Sequence, residues 1–182
     1  CDLYLYGDGE KMTERGLIHL YYGDGKGKTT AAMGLVLRAI HAGKRVVIVQ
    51  FLKNSATGEI YFLEQLGAKV YRGKCGDKFL SGMTEEEKAA TKKMQTENLQ
   101  AAVKEDADVL ILDEVCTVWQ KEMVDRELLQ KAVLEKPVKQ ELVLTGRVPA
   151  EWMIGIADYC TEMKCQKHPF RKGIKARKGV EF

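Results

Sequence analysis

The sequence has no apolar run approaching the roughly 20 residues that a helix needs to cross a bilayer. No segment has the pattern of a secretory signal either. Its 45% apolar and 30% charged residues are typical of a globular domain with a sizeable core. We therefore expect a cytoplasmic protein without a membrane partner.

Paired cysteines are also missing. The five cysteines are odd in number, and no two have the Cys-x-x-Cys spacing of a zinc or redox motif. Because no export signal is seen, we expect free thiols in a reducing compartment. These residues are Cys1, Cys75, Cys116, Cys160 and Cys165.

A strong charge of one sign is absent as well. The 29 Lys and Arg residues oppose 26 Asp and Glu residues, and the net charge of +3 is too small to indicate a nucleic-acid partner. The basic residues are nevertheless uneven, because seven lie between Lys164 and Lys178 without any acid. This segment is either a solvated tail or a positive wall that faces phosphates.

A glycine-rich turn stands between an apolar run, 17–20, and a helical pattern, 31–40. Backbone N–H groups of such a turn and of the following helix start hold phosphates. We expect Lys28 to reach the outer phosphates and the Thr29 hydroxyl to bind Mg²⁺. The predicted ATP-binding residues of the turn are Gly23, Asp24, Gly25, Lys26, Gly27, Lys28, Thr29 and Thr30.

The turn is one residue shorter than the common Gly-x-x-x-x-Gly-Lys-Thr pattern. That pattern needs glycine at position 22, where this chain has Tyr22, so that Gly23 and Gly27 enclose only three residues. A tighter loop is expected to hold a triphosphate differently from an ordinary phosphotransferase, which disfavours a kinase.

A second signal is an apolar run, 109–112, that ends in Asp113 and Glu114. It predicts a buried parallel strand that carries two carboxylates to the sheet edge where ligands bind. Strand-end acids are sometimes only surface residues. Together with the glycine turn, however, they predict a Mg²⁺ site opposite Thr29.

Strand and helix patterns alternate along the rest of the chain, and we find no repeat or linker. This alternation predicts a single-domain α/β fold: an open, mostly parallel sheet with helices on both faces. Residues 17–182 are expected to form the domain, preceded by an N-terminal arm, 1–16, in which Met12 is a candidate native start.

Six blocks stand in a characteristic order: 23–32, 49–53, 110–114, 144–147, 157–158, and a closing block at 167–170 and 173–182. Together they resemble the ATP-dependent cob(I)alamin adenosyltransferases, the P-loop type of corrinoid adenosyltransferase. The resemblance covers roughly residue 17 to the end and implies a RecA-like P-loop fold. The short loop and the closing block are the specific parts.

The resemblance implies transfer of the 5′-deoxyadenosyl group of ATP to the Co(I) of a reduced corrinoid, with release of triphosphate. It also implies that ATP binds in the reverse sense to most P-loop proteins, in agreement with the short loop. A homodimer and an electron donor of the flavoprotein reductase type are expected. The implied catalytic residues are Lys28, Thr29 and Glu114; the implied ligands of Mg²⁺ or Mn²⁺ are Thr29, Asp113 and Glu114; further ATP contacts are Arg38 and Arg147.

The family's corrin-binding Gly-Phe-x-Trp segment is only partly matched. Residues 76–79 keep one aromatic, Phe79, and place Asp77 where the first aromatic is expected. Phe79 is therefore the expected corrinoid contact, with Trp119 or Tyr61 as alternatives, although ordinary core packing explains such aromatics equally well. His168 is interpreted as structural and not as a cobalt ligand.

Three other functions remain open at this point. The main alternative is a P-loop ATPase or small-molecule kinase, which makes ADP or phosphate instead of triphosphate. A nucleic-acid binder that uses the basic end predicts strongly salt-dependent affinity, but aromatic and basic residues are not interleaved there. A corrinoid carrier binds the corrinoid without ATP turnover.

Overall fold

The computed structural model describes residues 15–54, 58–76 and 78–180. Nearly all of the predicted N-terminal arm, the residue Asp77 and the last two residues of the closing block lie outside these ranges. Within them, six strands form one sheet in the order β3-β2-β4-β5-β1-β6. All neighbouring strands are parallel, which confirms the predicted open α/β sheet.

The strands are short and follow the predicted apolar runs closely. The strands β2 and β4 are fully buried because helices cover both faces of the sheet. The bounds are β1 Ile18–Tyr22, β2 Val46–Phe51, β3 Lys69–Gly73, β4 Val109–Asp113, β5 Glu141–Gly146 and β6 Tyr159–Glu162.

Helices follow the strands as the sequence pattern predicts, and two short 3₁₀ turns, Leu80–Gly82 and Pro169–Lys172, lie in the connections. The best-defined helix start is Thr84, whose hydroxyl accepts the Glu87 backbone N–H in the predicted capping arrangement. The helices are α1 Lys28–His41, α2 Gly58–Gln65, α3 Glu85–Val103, α4 Val115–Gln120, α5 Arg126–Leu134 and α6 Glu151–Ile156.

Alternate residues of the central strands face two separate hydrophobic cores. Val109 and Ile111 pack with α1 and α2, whereas Leu110 and Leu112 pack with α3 to α6. The three-layer arrangement confirms helices on both faces. None of the helices in the described ranges is long and apolar enough to cross a membrane.

The topology brings the two sequence signals to one edge of the sheet. The glycine turn follows β1, and Asp113 ends β4, with β5 between these two strands. Two strand spacings, about 10 Å, therefore separate the two strand ends, and side chains from α1 and β5 close this gap.

Candidate active site

The glycine turn is packed directly against the chain that leaves β6. Gly25 donates its N–H to the Met163 carbonyl at 2.7 Å, and Gly23 donates to the Arg147 carbonyl at 3.0 Å. A Cβ atom at Gly23 or Gly25 would lie 2.4 or 2.6 Å from the Met163 oxygen. Glycine is therefore required at both positions.

The start of α1 has no side-chain cap. Gly27 adopts φ +117° as the N-cap, with no side chain bound to the first turn and no acid in that turn. The free N–H groups and the positive helix end favour an anion here. Asp24 points elsewhere, since it accepts the Cys165 N–H at 2.8 Å, and Lys26 and Thr30 are exposed.

The side chain of Lys28 contacts the glycine turn, because its Nζ donates to the Gly25 carbonyl at 2.6 Å. Burial lowers the pKa of Lys28, the Glu114 carboxylate opposes this shift, and the Arg147 charge adds to it. Lys28, Glu114 and Arg147 thus interact electrostatically at the loop, and the Lys28 ammonium contacts the turn's backbone directly.

Asp113 is the centre of the site. Its side chain is completely buried and accepts four hydrogen bonds. Oδ1 accepts from the hydroxyls of Thr29 and Thr145, at 2.8 and 2.7 Å. Oδ2 accepts from Gln50 Nε2 at 3.2 Å and from Lys53 Nζ at 3.0 Å. The network fixes the orientation of the Thr29 hydroxyl. Because the hydroxyl proton is donated to Asp113, the lone pairs of the Thr29 oxygen remain free for a ligand.

Glu114 has an unusual backbone. It adopts φ +62° just before α4, a left-handed conformation that costs energy for a non-glycine residue and is often found at functional sites. Its N–H donates to Thr145 Oγ1 at 2.9 Å, and its Oε2 accepts from Thr117 Oγ1 at 2.9 Å. The backbone of Glu114 is therefore held by β5, and its carboxylate is oriented by Thr117 of α4.

These oxygen groups fit a magnesium ion. The Thr29 hydroxyl and the Glu114 carboxylate are hard oxygen ligands, whereas Asp113 already fills its acceptor positions and acts on Thr29. The described residues contain no cluster of three or more His, Cys, Asp or Glu that would hold a metal. Mg²⁺ commonly needs only one or two protein groups, since substrate phosphates and waters complete its shell.

Arg38 and Arg147, the other expected ATP contacts, are placed differently. Arg147 follows β5 at the loop, where its carbonyl accepts the Gly23 N–H. Arg38 lies in the last turn of α1, ten residues after Lys28 and thus about 15 Å along the helix. The structure does not bring Arg38 to the glycine turn, and its contact with ATP stays a prediction.

The aromatic residues occupy different environments. Phe79 is 85% exposed in the loop after β3, a strand that lies four positions from β1 in the sheet. Its ring lies 5.7 Å from Lys74 Nζ. Trp119 packs against Trp152, with ring centroids 5.0 Å apart, and Tyr61 is 67% exposed on α2. Phe79 and Tyr61 are thus accessible, whereas Trp119 takes part in packing.

The basic segment is attached to the loop at its beginning, through Met163 and Cys165. A cavity of about 420 Å³ lies between this segment and Lys26, lined by Lys164, Lys167 and Lys175 among others. His168 Nδ1 accepts the Phe170 N–H at 3.2 Å and caps a 3₁₀ turn. The structural interpretation of His168 is therefore supported.

Sequence reasoning assigned no role to three residues that reach Asp113, namely Gln50, Lys53 and Thr145. Two of them interrupt or end apolar strands: Gln50 in β2 and Thr145 in β5 are fully buried polar residues. Polar residues near the carboxyl ends of otherwise apolar strands were the available signal. Lys53 has no such signal, because its position depends on the turn after β2.

Comparisons with known proteins show the family of this chain. A family model described as ATP:corrinoid adenosyltransferase BtuR/CobO/CobP matches residues 14–182. A corrinoid adenosyltransferase of Pseudomonas aeruginosa is 35% identical over 172 residues, which cover 93% of this chain and 85% of the relative. Corrinoid adenosyltransferases of Escherichia coli K12 and Salmonella typhimurium are 32% and 31% identical over 174 residues, covering 95% of this chain and 89% of each relative.

The matched region contains the glycine turn, Asp113 and Glu114, and the basic closing segment. With a parallel α/β fold and a family match over nearly the whole chain, the protein belongs to the ATP:corrinoid adenosyltransferase family.

Proposed function

We propose that this enzyme transfers the 5′-deoxyadenosyl group of ATP to the Co(I) of a reduced corrinoid. The Co(I) electron pair forms a bond to C5′ of the ribose, the C5′–O bond breaks, and its electron pair leaves with triphosphate. The observation that carries the proposal is the short glycine turn, packed on Met163, beside the buried Asp113–Thr29 pair.

The loop side of the site binds the triphosphate. The N–H groups at the start of α1 and the Lys28 ammonium face the phosphates, with Lys26 and Arg147 adding positive charge. As C5′–O breaks, triphosphate gains charge, and preorganised donors stabilise that charge most strongly in a site shielded from water. Lys28 must leave the Gly25 carbonyl to make this contact.

Mg²⁺ or Mn²⁺ would be held by the Thr29 hydroxyl and the Glu114 carboxylate, with Asp113 orienting Thr29. When bound, the ion supplies charge stabilisation to the phosphate oxygens. Glu114 is oriented for this role by its contacts with Thr145 and Thr117.

The corrinoid supplies the nucleophile, so the protein needs none. Cys116 lies next to Glu114, but burial raises its pKa to about 12, and an un-ionised thiol does not compete for C5′. Phe79, exposed at the same sheet edge, is proposed as a corrinoid contact. A homodimer and a flavoprotein-type electron donor rest on the family resemblance alone, and a cytoplasmic location rests on the sequence pattern.

Anaerobic mixing with ATP, Mg²⁺ and chemically reduced cob(I)alamin tests the proposal. We expect an absorbance change as the cobalt–carbon bond forms, and none when ATP is omitted. An unchanged corrinoid spectrum, with ATP converted to ADP and phosphate, would instead support a P-loop ATPase. A corrinoid that binds without ATP turnover would support a carrier.

A further inference from the structure

The turn after β2 delivers a cation to the buried carboxylate of the site. Lys53 Nζ lies 3.0 Å from Asp113 Oδ2, and the Lys53 side chain is 28% exposed whereas that of Asp113 is fully buried. An ionised carboxylate that is removed from water needs a paired charge and further hydrogen bonds to remain favourable. Lys53 supplies that charge from within the chain.

The residues on either side of Lys53 hold it in place. Leu52 adopts the left-handed φ +57°, which costs energy, and its N–H donates to Gln95 Oε1 at 3.4 Å. On the other side, Asn54 Nδ2 donates to the carbonyls of Lys74 and Gly76, at 2.8 and 2.7 Å. Lys53 is therefore anchored on both sides, and its ion pair is not that of a freely moving surface lysine.

The carboxylate that Lys53 holds is the one that orients Thr29. Oδ2 of Asp113 is occupied by Lys53 and Gln50, which leaves Oδ1 to accept from the Thr29 hydroxyl. Gln50 Oε1 is buried and has no hydrogen-bond partner among the described residues. An unpaired buried acceptor beside Asp113 is suited to a water molecule of a metal shell.

We propose that Lys53 is a positioning residue for the metal-dependent part of ATP binding. It acts through Asp113: the ammonium fixes the carboxylate, the carboxylate fixes Thr29, and Thr29 presents its oxygen to Mg²⁺. The inference rests on the proposed function, because it takes Mg²⁺ and ATP as the ligands. It assigns Lys53 no contact with the phosphates or the reacting carbon.

The test is calorimetric measurement of the dissociation constant of ATP, with Mg²⁺ and without it, in the absence of corrinoid. The ratio of the two constants gives the enhancement by Mg²⁺. Replacing partners behind a metal ligand commonly reduces metal affinity by roughly 10- to 100-fold. We therefore expect Lys53→Met to reduce the enhancement by at least about tenfold and Lys53→Arg, which keeps the charge, to retain most of it.

Lys44→Met is the matched control. Lys44 is an exposed lysine just before the other end of β2, and we expect its variant to match the wild type. If Mg²⁺ enhances ATP affinity as strongly in Lys53→Met as in the wild type, the proposal is overturned. An equal loss of ATP affinity in Lys53→Met with and without Mg²⁺ would also overturn it, because that result indicates a direct phosphate contact or general damage. The proposal is likewise overturned if Mg²⁺ does not enhance ATP affinity in the wild type.

A second comparison holds even if Lys53→Met does not fold. Lys53→Met leaves the fully buried Asp113 charge unpaired, which is strongly destabilising, whereas Asp113→Asn removes that buried charge and leaves the partly exposed Lys53. We expect Asp113→Asn and the double variant Lys53→Met/Asp113→Asn to show the same reduced enhancement, because Lys53 acts through Asp113. A further loss in the double variant would contradict this. Adenosyl transfer by the wild type is assayed separately, so failure of the proposed function remains distinguishable.

Discussion

At the scale of single residues, Lys28 carries the most direct prediction. Its ammonium lies on the glycine turn and is proposed to stabilise the charge that triphosphate gains on leaving. Loss of one such donor costs on the order of 3 kcal/mol in the transition state. Lys28→Ala is therefore expected to lower kcat/KM at least about a hundredfold in the anaerobic adenosylation assay.

Lys92→Ala, at an exposed position on α3, is the control for that experiment and is expected to keep wild-type kinetics. Equal kcat/KM in Lys28→Ala and the wild type would show that Lys28 is not a catalytic residue.

The pH dependence of ATP affinity reports on the same side chain. Burial lowers the pKa of Lys28 below its ordinary value of 10.5, so the positive charge is lost as pH rises through that lowered value. ATP affinity should consequently decline with rising pH, beginning below pH 10.5. Lys28→Arg should shift this decline to higher pH, since a guanidinium stays protonated. Identical profiles for the two proteins would contradict the assignment.

At the scale of elements, alanine substitutions at two glycines near the start of α1 are expected to have opposite effects on the protein. A Cβ at Gly25 would lie 2.6 Å from the Met163 carbonyl oxygen, whereas a Cβ at Gly34 meets no atom within 4 Å. Gly25→Ala must displace the loop or β6 and is expected to abolish measurable ATP binding.

Gly34→Ala, inside α1, is the matched control and should raise the free energy of unfolding by up to about 1 kcal/mol, because alanine is the better helix former. ATP binding by Gly34→Ala should be unchanged. Normal ATP affinity in Gly25→Ala would contradict the description of the turn.

At the scale of the whole molecule, the sequence predicted the elements well because their signals are local. Apolar runs gave the strands, Thr84 and Glu87 gave the start of α3, and the glycine turn gave the start of α1. The convergence of Thr29 and Asp113 also followed, because parallel strands place their carboxyl ends at one edge.

What the sequence did not predict depends on tertiary contacts. Lys53 reaches Asp113 from the turn after β2, where Leu52 adopts a left-handed backbone. The packing of Gly23 and Gly25 on Met163 joins residues about 140 positions apart, and no local pattern encodes such a contact.

The central claim is that the ribose carbon of ATP, and not its terminal phosphorus, is attacked. The most direct test is ³¹P NMR of the products after one anaerobic turnover with Mg²⁺, ATP and equimolar cob(I)alamin. The account predicts one inorganic triphosphate for each cobalt–carbon bond formed, without ADP. Formation of ADP and phosphate, with the corrinoid unalkylated, would contradict it.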